Sequence, residues 1–95
     1  MPTYERATRF DRDLAALDGE ERTRFREAVE RFVADLRTET FRPGLRVRGV
    51  AGAPGVFEMS WAPNGRATFQ YGPTRGQGPH VIWRRVGTHD IFGEP

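Results

Sequence analysis

Val56-Phe57-Glu58-Met59-Ser60-Trp61-Ala62-Pro63-Asn64-Gly65-Arg66-Ala67-Thr68-Phe69-Gln70-Tyr71 carries the pattern on which the fold turns. Two runs rich in aromatic residues, Val56–Trp61 and Arg66–Tyr71, flank a four-residue link. The Asn64-Gly65 pair in that link, between two aromatic-rich runs, is a strong turn signal, so the stretch predicts a β-hairpin. Upstream, Ala51–Gly55 is a Gly/Pro-rich connection. Before it Leu45, Val47 and Gly49 alternate with Arg46, Arg48 and Val50, which predicts a half-buried strand with Arg46 and Arg48 on its open side. Downstream, Pro73–Pro79 reads as a loop, His80–Val86 as the last strand, and Gly87–Phe92 as a tail that turns.

The first half has a different period. Phe10, Leu14 and Leu17 recur at intervals of four and three, one face of a first helix. Asp18 followed by Glu21 has the spacing of a capping box, and it opens a second helix. Along that helix Phe25, Ala28, Val29, Phe32, Val33 and Leu36 form a single apolar stripe, with the charges elsewhere. Thr3–Ala7 can form a short extra strand in front. The expected class is therefore α+β, an N-terminal helical hairpin packed on a four-stranded antiparallel sheet whose other face stays open.

Ninety-five residues, 37% of them hydrophobic, suffice for one compact domain with one modest core, so residues 1–95 are read as a single domain. Cysteine is absent, which excludes disulfides and thiolate metal sites and fits a reducing cytoplasm. Met1–Phe10 is polar and charged, and no apolar run approaches the roughly 18 to 20 residues that span a bilayer, which argues against secretion and a membrane partner. All fifteen basic residues are arginine. A GC-rich genome accounts for such a bias through its codons; guanidinium groups also match phosphate oxygens in a two-pronged geometry. Ten of the thirteen acids precede Phe41, while seven arginines lie between Arg42 and Arg85, so the basic excess belongs to the second half. That asymmetry suits a polyanion such as RNA, and equally an acidic protein partner.

The helix hairpin followed by an antiparallel sheet, the run Leu45-Arg46-Val47-Arg48-Gly49, the strand Arg66–Tyr71 and the tail Val86-Gly87-Thr88-His89-Asp90-Ile91-Phe92 together resemble the RelE/ParE superfamily of toxins. The tail is similar to the end of the YafQ branch, and Arg66 stands where relatives open a strand with a catalytic arginine. The resemblance implies a toxin of a type II toxin–antitoxin system that cuts messenger RNA on the ribosome, needs no metal or other cofactor, and has a cognate antitoxin as partner.

Cleavage without a metal drives the ribose 2′-hydroxyl onto the adjacent phosphate, and needs a base, an acid and positive charge. Histidine can serve in either proton role and arginine supplies charge without titrating. By resemblance His89 is the acid; Arg66, Arg46 and Arg48 are phosphate contacts; Phe92 or Tyr71 is the base-stacking surface. Glu58 can act as the base or as the partner of a neighbouring arginine. Arg84 and Arg85 are candidate RNA contacts, though adjacent strand residues point to opposite faces, so at most one belongs to the active face. The histidine and aspartate positions of the YafQ middle strands are not matched. His80 is read as structural, and Trp61 and Trp83 as core. Two other functions fit the same fold: a ParE-like inhibitor of DNA gyrase, and a non-catalytic interaction module.

Overall fold

The structure is a computed structural model describing residues 2–38, 40–75 and 78–95, with the Arg75 side chain left aside. In chain order it has β1 (Thr3–Arg6), α1 (Thr8–Ala16), α2 (Gly19–Leu36), a 3-10 turn (Pro43–Leu45), β2 (Arg48–Gly49), β3 (Phe57–Ala62), β4 (Gly65–Arg75), β5 (Gly78–Thr88) and a C-terminal 3-10 turn (His89–Gly93). The five strands form one sheet in the order β1-β5-β4-β3-β2. Among the described residues no helix is long and apolar enough to cross a membrane.

The α+β expectation holds, with the optional N-terminal strand present. That strand makes the sheet mixed: β1 runs parallel to β5, Thr3 opposite His80 and Arg6 opposite Trp83, while the other neighbours are antiparallel. α2 begins at the expected capping box. The Asp18 carboxylate accepts from the Glu21 N–H at 2.8 Å, and the Glu21 carboxylate accepts from the Asp18 N–H at 2.9 Å.

The apolar stripe of α2 meets the inward positions of the central strands. Phe25 and Phe32 pack on Trp61, Phe69 and Trp83, with centroid separations between 4.9 and 6.2 Å. Met59 and Ala67 are completely buried in the same cluster. Strand alternation turns Glu58, Ser60, Arg66 and Thr68 to the reverse face.

Three local expectations are corrected. The strand foreseen across Leu45–Val50 shrinks to Arg48–Gly49. Pro43, with its fixed φ, opens a 3-10 turn, and Arg46 closes it in the left-handed region at φ 49°, so Arg46 is not on a strand. The Pro73–Pro79 loop is a continuation of the β4–β5 ladder, Gly72 opposite His80 and Arg75 opposite Gly78, with an irregular register that accommodates Pro73; Gly76 and Gln77 lie outside the described residues. Gly87 and Thr88 belong to β5, and only then does the tail turn.

Gly65 is fixed by packing. A Cβ there would lie 2.5 Å from the Trp61 ring, and the Trp61 Nε1–H donates to the Arg66 carbonyl at 3.0 Å, which pins the indole over the turn. Gly65→Ala is therefore expected to destabilise the protein by about 1–3 kcal/mol through overpacking. Urea unfolding followed by tryptophan fluorescence measures it, and an unchanged midpoint would contradict the contact.

Candidate functional site

The β4–β5 register builds one end of the site. Gly65 lies opposite Thr88 and Arg66 opposite Gly87, so His89, the next residue, emerges beside the β3–β4 turn. Ile91 holds the tail: it is buried, outside the helix-side core, and a Cβ on Gly87 would come within 3.0 Å of its Cγ2. Thr88 caps the turn by accepting from the Asp90 N–H at 3.4 Å. His89 is left exposed, with the half-buried Phe92 ring edge-on to it at 4.8 Å.

Arg66 folds back over the hairpin. Its Nη1 donates to the carbonyls of Ala62, Pro63 and Gly65 at 3.2, 3.2 and 2.8 Å. Its Nε is buried without a partner, as are the hydroxyls of Ser60 and Thr68 on the same sheet face. Arg48, on β2, donates from Nε to Glu58 at 3.1 Å; the carboxylate side chain is only 9% exposed and the arginine 64%. Arg46 is exposed; its backbone N–H donates to the Pro43 carbonyl at 3.0 Å, and its side chain has no hydrogen bond or ion pair among the described residues.

The remaining candidates lie elsewhere. Tyr71 stands five residues along β4 from Arg66, roughly 17 Å for an extended strand, with its ring edge against Phe57 and Phe69 on the helix side. A bulge in β5 makes Arg84 the extra residue between the pairs Thr68–Arg85 and Phe69–Trp83. Arg84 donates to the Gln70 side-chain carbonyl and to the Pro95 carbonyl. Arg85 donates to both oxygens of Asp13, at 2.6 and 3.2 Å, and to the Glu94 carbonyl at 2.9 Å. Its hydrogen bonds to Asp13 raise its pKa further above the ordinary arginine range. Both side chains thus tie the C-terminal tail to the sheet. His80 is buried between β5 and β1, its Nδ1 2.7 Å from the Thr3 hydroxyl and its Nε2 2.9 Å from Glu5. Trp61 and Trp83 are core residues.

No protein-family model matches the sequence, and no curated protein matches it. Solved structures do. A chain of the E. coli DinJ-YafQ toxin-antitoxin complex superposes with TM-score 0.67 at 13% identity, over 95% of this chain and 94% of that one. For the RelB-RelE antitoxin-toxin complex of Methanococcus jannaschii the TM-score is 0.61 at 18% identity, over 94% of each chain. The fold is that of the RelE/YafQ-type toxins. A metal-bound toxin from Helicobacter pylori shares it, with TM-score 0.65 and 22% identity over 95% of this chain and 97% of that one. Within the RelE/YafQ-type fold of this chain, no group of three or more His, Cys, Asp or Glu side chains is placed to hold a metal ion among the described residues.

One element of the site region escaped the sequence reading. Asp35, in the last turn of α2, accepts from the Arg42 backbone N–H at 2.9 Å, from its Nε at 2.7 Å and from its Nη2 at 2.8 Å. The pair clamps the segment after α2 and so sets where Arg46 stands. Its only signal in the sequence is an acid seven residues before an arginine, a spacing with no meaning until the chain has turned. Hydrogen bonds from the Arg42 side chain, then its backbone, hold the Asp35 carboxyl at about 2 against an ordinary 3.8. Because the folded value is depressed, the clamp stabilises fully above roughly pH 4 and is lost as pH falls toward 2. Asp35→Asn is expected to lower the thermal midpoint by a margin that is constant above roughly pH 5 and closes between roughly pH 4 and 2. A margin as wide at pH 2 as at pH 6 would show that the charge is irrelevant.

Proposed function

We propose that this chain is the toxin of a type II toxin–antitoxin system and an endoribonuclease that cuts messenger RNA on the ribosome without a metal. The observation that carries the reading is the convergence of an exposed histidine, an aromatic ring edge-on to it and Arg66 at one end of the β4–β5 ladder. The relevant solved neighbours are described as toxins or toxin–antitoxin complexes, which supports a cognate antitoxin as partner.

In the proposed reaction the 2′-oxygen bonds to phosphorus, the bond to the 5′-oxygen breaks, and a cyclic phosphate and a free 5′-hydroxyl result. His89 as imidazolium gives its proton to the departing 5′-oxygen. Arg66, Arg46 and Arg48 offset the extra negative charge on the phosphorane-like transition state. Phe92 stacks on a base next to the cut, and Tyr71, farther along β4, serves a more distant nucleotide. Glu58 accepts the 2′-proton on the carboxylate oxygen that Arg48 does not hold. Arg84 and Arg85 act by anchoring the tail that carries His89, and either reaches RNA only by exchanging a present partner. One observation favours a second reading, a non-catalytic antitoxin-binding relative: Glu58 is already buried against Arg48, which leaves the base occupied.

Induced expression in bacteria, with mapping of new 5′ ends on cellular messages, tests both. Wild type is expected to arrest growth and cut translated messages, and His89→Ala, at equal protein level, to lose both; the single-turnover rate should fall by about 10²- to 10⁴-fold, the usual worth of an acid. Arrest without cuts would transfer the argument to gyrase or another target. Soluble expression without arrest would favour the non-catalytic reading.

A further inference from the structure

Where β2 stops, the edge of β3 is left unpaired from Ser60 onward, and a cavity of about 320 Å³ opens between it, α2 and the 3-10 turn. Four arginines line it: Arg31 from α2, Arg42 and Arg46 flanking the 3-10 turn, and Arg66 from β4. No acidic residue is among its lining residues, and among the described residues the one carboxylate bound to any of them is Asp35, which pairs with Arg42 alone. Arg31 and Arg46 have no ion pair among the described residues. We propose that this pocket is a phosphate-binding site, with Arg31, Arg42 and Arg46 as ligands that supplement Arg66.

Three independent features point to a ligand. Like charges gathered with a counter-charge on Arg42 alone among the described residues repel one another, and an anion lowers that repulsion. Two polar groups of lining residues, the Ser60 hydroxyl and the Arg66 Nε–H, are buried without partners among the described residues, which leaves two donors beside the pocket whose hydrogen bonds are unmade. Arg46 is the one non-glycine residue with positive φ among the described residues, a conformation that glycine would adopt without steric conflict. A large cation kept in a strained position at the mouth of a cationic pocket is explained by what it binds. The Asp35 clamp orients Arg42 and leaves its Nη1 donors uncommitted among the described residues. Guanidinium groups arriving from a helix, a loop and a strand can surround one phosphate on three sides.

The phosphate can come from an RNA backbone, in which case the proposal rests on the nuclease reading and adds a subsite to it, or from a soluble diphosphate. Binding is followed by arginine side-chain NMR in two titrations, with inorganic pyrophosphate and with a 2′-O-methyl hexanucleotide that cannot be cleaved. Saturable shifts at Arg31, Arg42 and Arg46 are expected. Arg31→Ser and Arg46→Gly should each weaken binding by about tenfold, and Arg26→Ser, outside the pocket, by less than about twofold. Arg46→Gly should bind no better than Arg46→Ala yet melt at a higher temperature, because only glycine removes the strain; that order separates lost binding from lost folding. Competition between the two probes for the same residues assigns the site to RNA, and pyrophosphate binding alone assigns it to a soluble diphosphate. The absence of saturable binding, or equal weakening by Arg26→Ser, would overturn the pocket. Running His89→Ala in parallel keeps the two proposals apart: it should abolish cleavage and leave pyrophosphate binding unchanged.

Discussion

Phe32 sits with its ring centroid 4.9 Å from Phe69, 5.3 Å from Trp83 and 5.2 Å from Phe41, at the point where α2, the two longest strands and the segment after α2 meet. In a chain without disulfides this aromatic cluster supplies the main apolar burial that orders the backbone. It fixes how α2 lies across the sheet. It also traps Phe41, so the chain leaves α2 in a fixed direction and Arg42 falls within reach of Asp35. On the strand side it holds Phe69 opposite Trp83; beyond the Arg84 bulge the ladder continues to Gly65 beside Thr88 and delivers His89 to the hairpin turn. The chemistry-bearing ends of the molecule are thus consequences of packing at its centre.

The parts of this fold that were legible in the sequence are those set by neighbours a few residues apart. The Asp18–Glu21 box and the α2 stripe express a local period and appear where they were read; the hairpin does too, but its turn is the shorter Pro63-Asn64, with Gly65 already paired to Ala62. What was not legible depends on distant partners. β1 joins β5 across some seventy-five residues, and nothing in Thr3–Arg6 declares that its pairing is parallel. The alternation of Leu45–Val50 is genuine, yet Pro43 bends the backbone before a ladder can form and leaves two paired residues. The residue types of the site were visible, by resemblance more than by pattern. Their partners were not, since the bulge that commits Arg84 and Arg85 to Gln70, Asp13 and the tail arises only when two strands are in register.

Charge bookkeeping changes once the chain folds. The acids concentrated before Phe41 do not stay apart from the arginines after it: Asp13 takes Arg85 and Asp35 takes Arg42, while Glu58 takes Arg48 within the second half. The basic excess seen in the sequence is therefore smaller on the surface than the count implies, and it is more localised. Arg46, without an ion pair among the described residues, and Arg31, brought in from the acidic half, define where positive potential remains. Folding converts a diffuse asymmetry into a directed one, which is the form an anion can recognise.

The molecule is locally consistent over much of its length, with a capping box on α2 and alternating strands in the sheet. Several departures meet at one pocket: a left-handed arginine, a Ser60 hydroxyl and an Arg66 N–H without partners, and cations without ion pairs, all among the described residues. Each departure lowers stability: the left-handed backbone at Arg46 is free of conflict only for glycine, and each buried donor without a partner forfeits a hydrogen bond. Costs of this kind, kept over a core that does not require them, are what an anion site at this edge would explain, and they give the proposed pocket its physical motive.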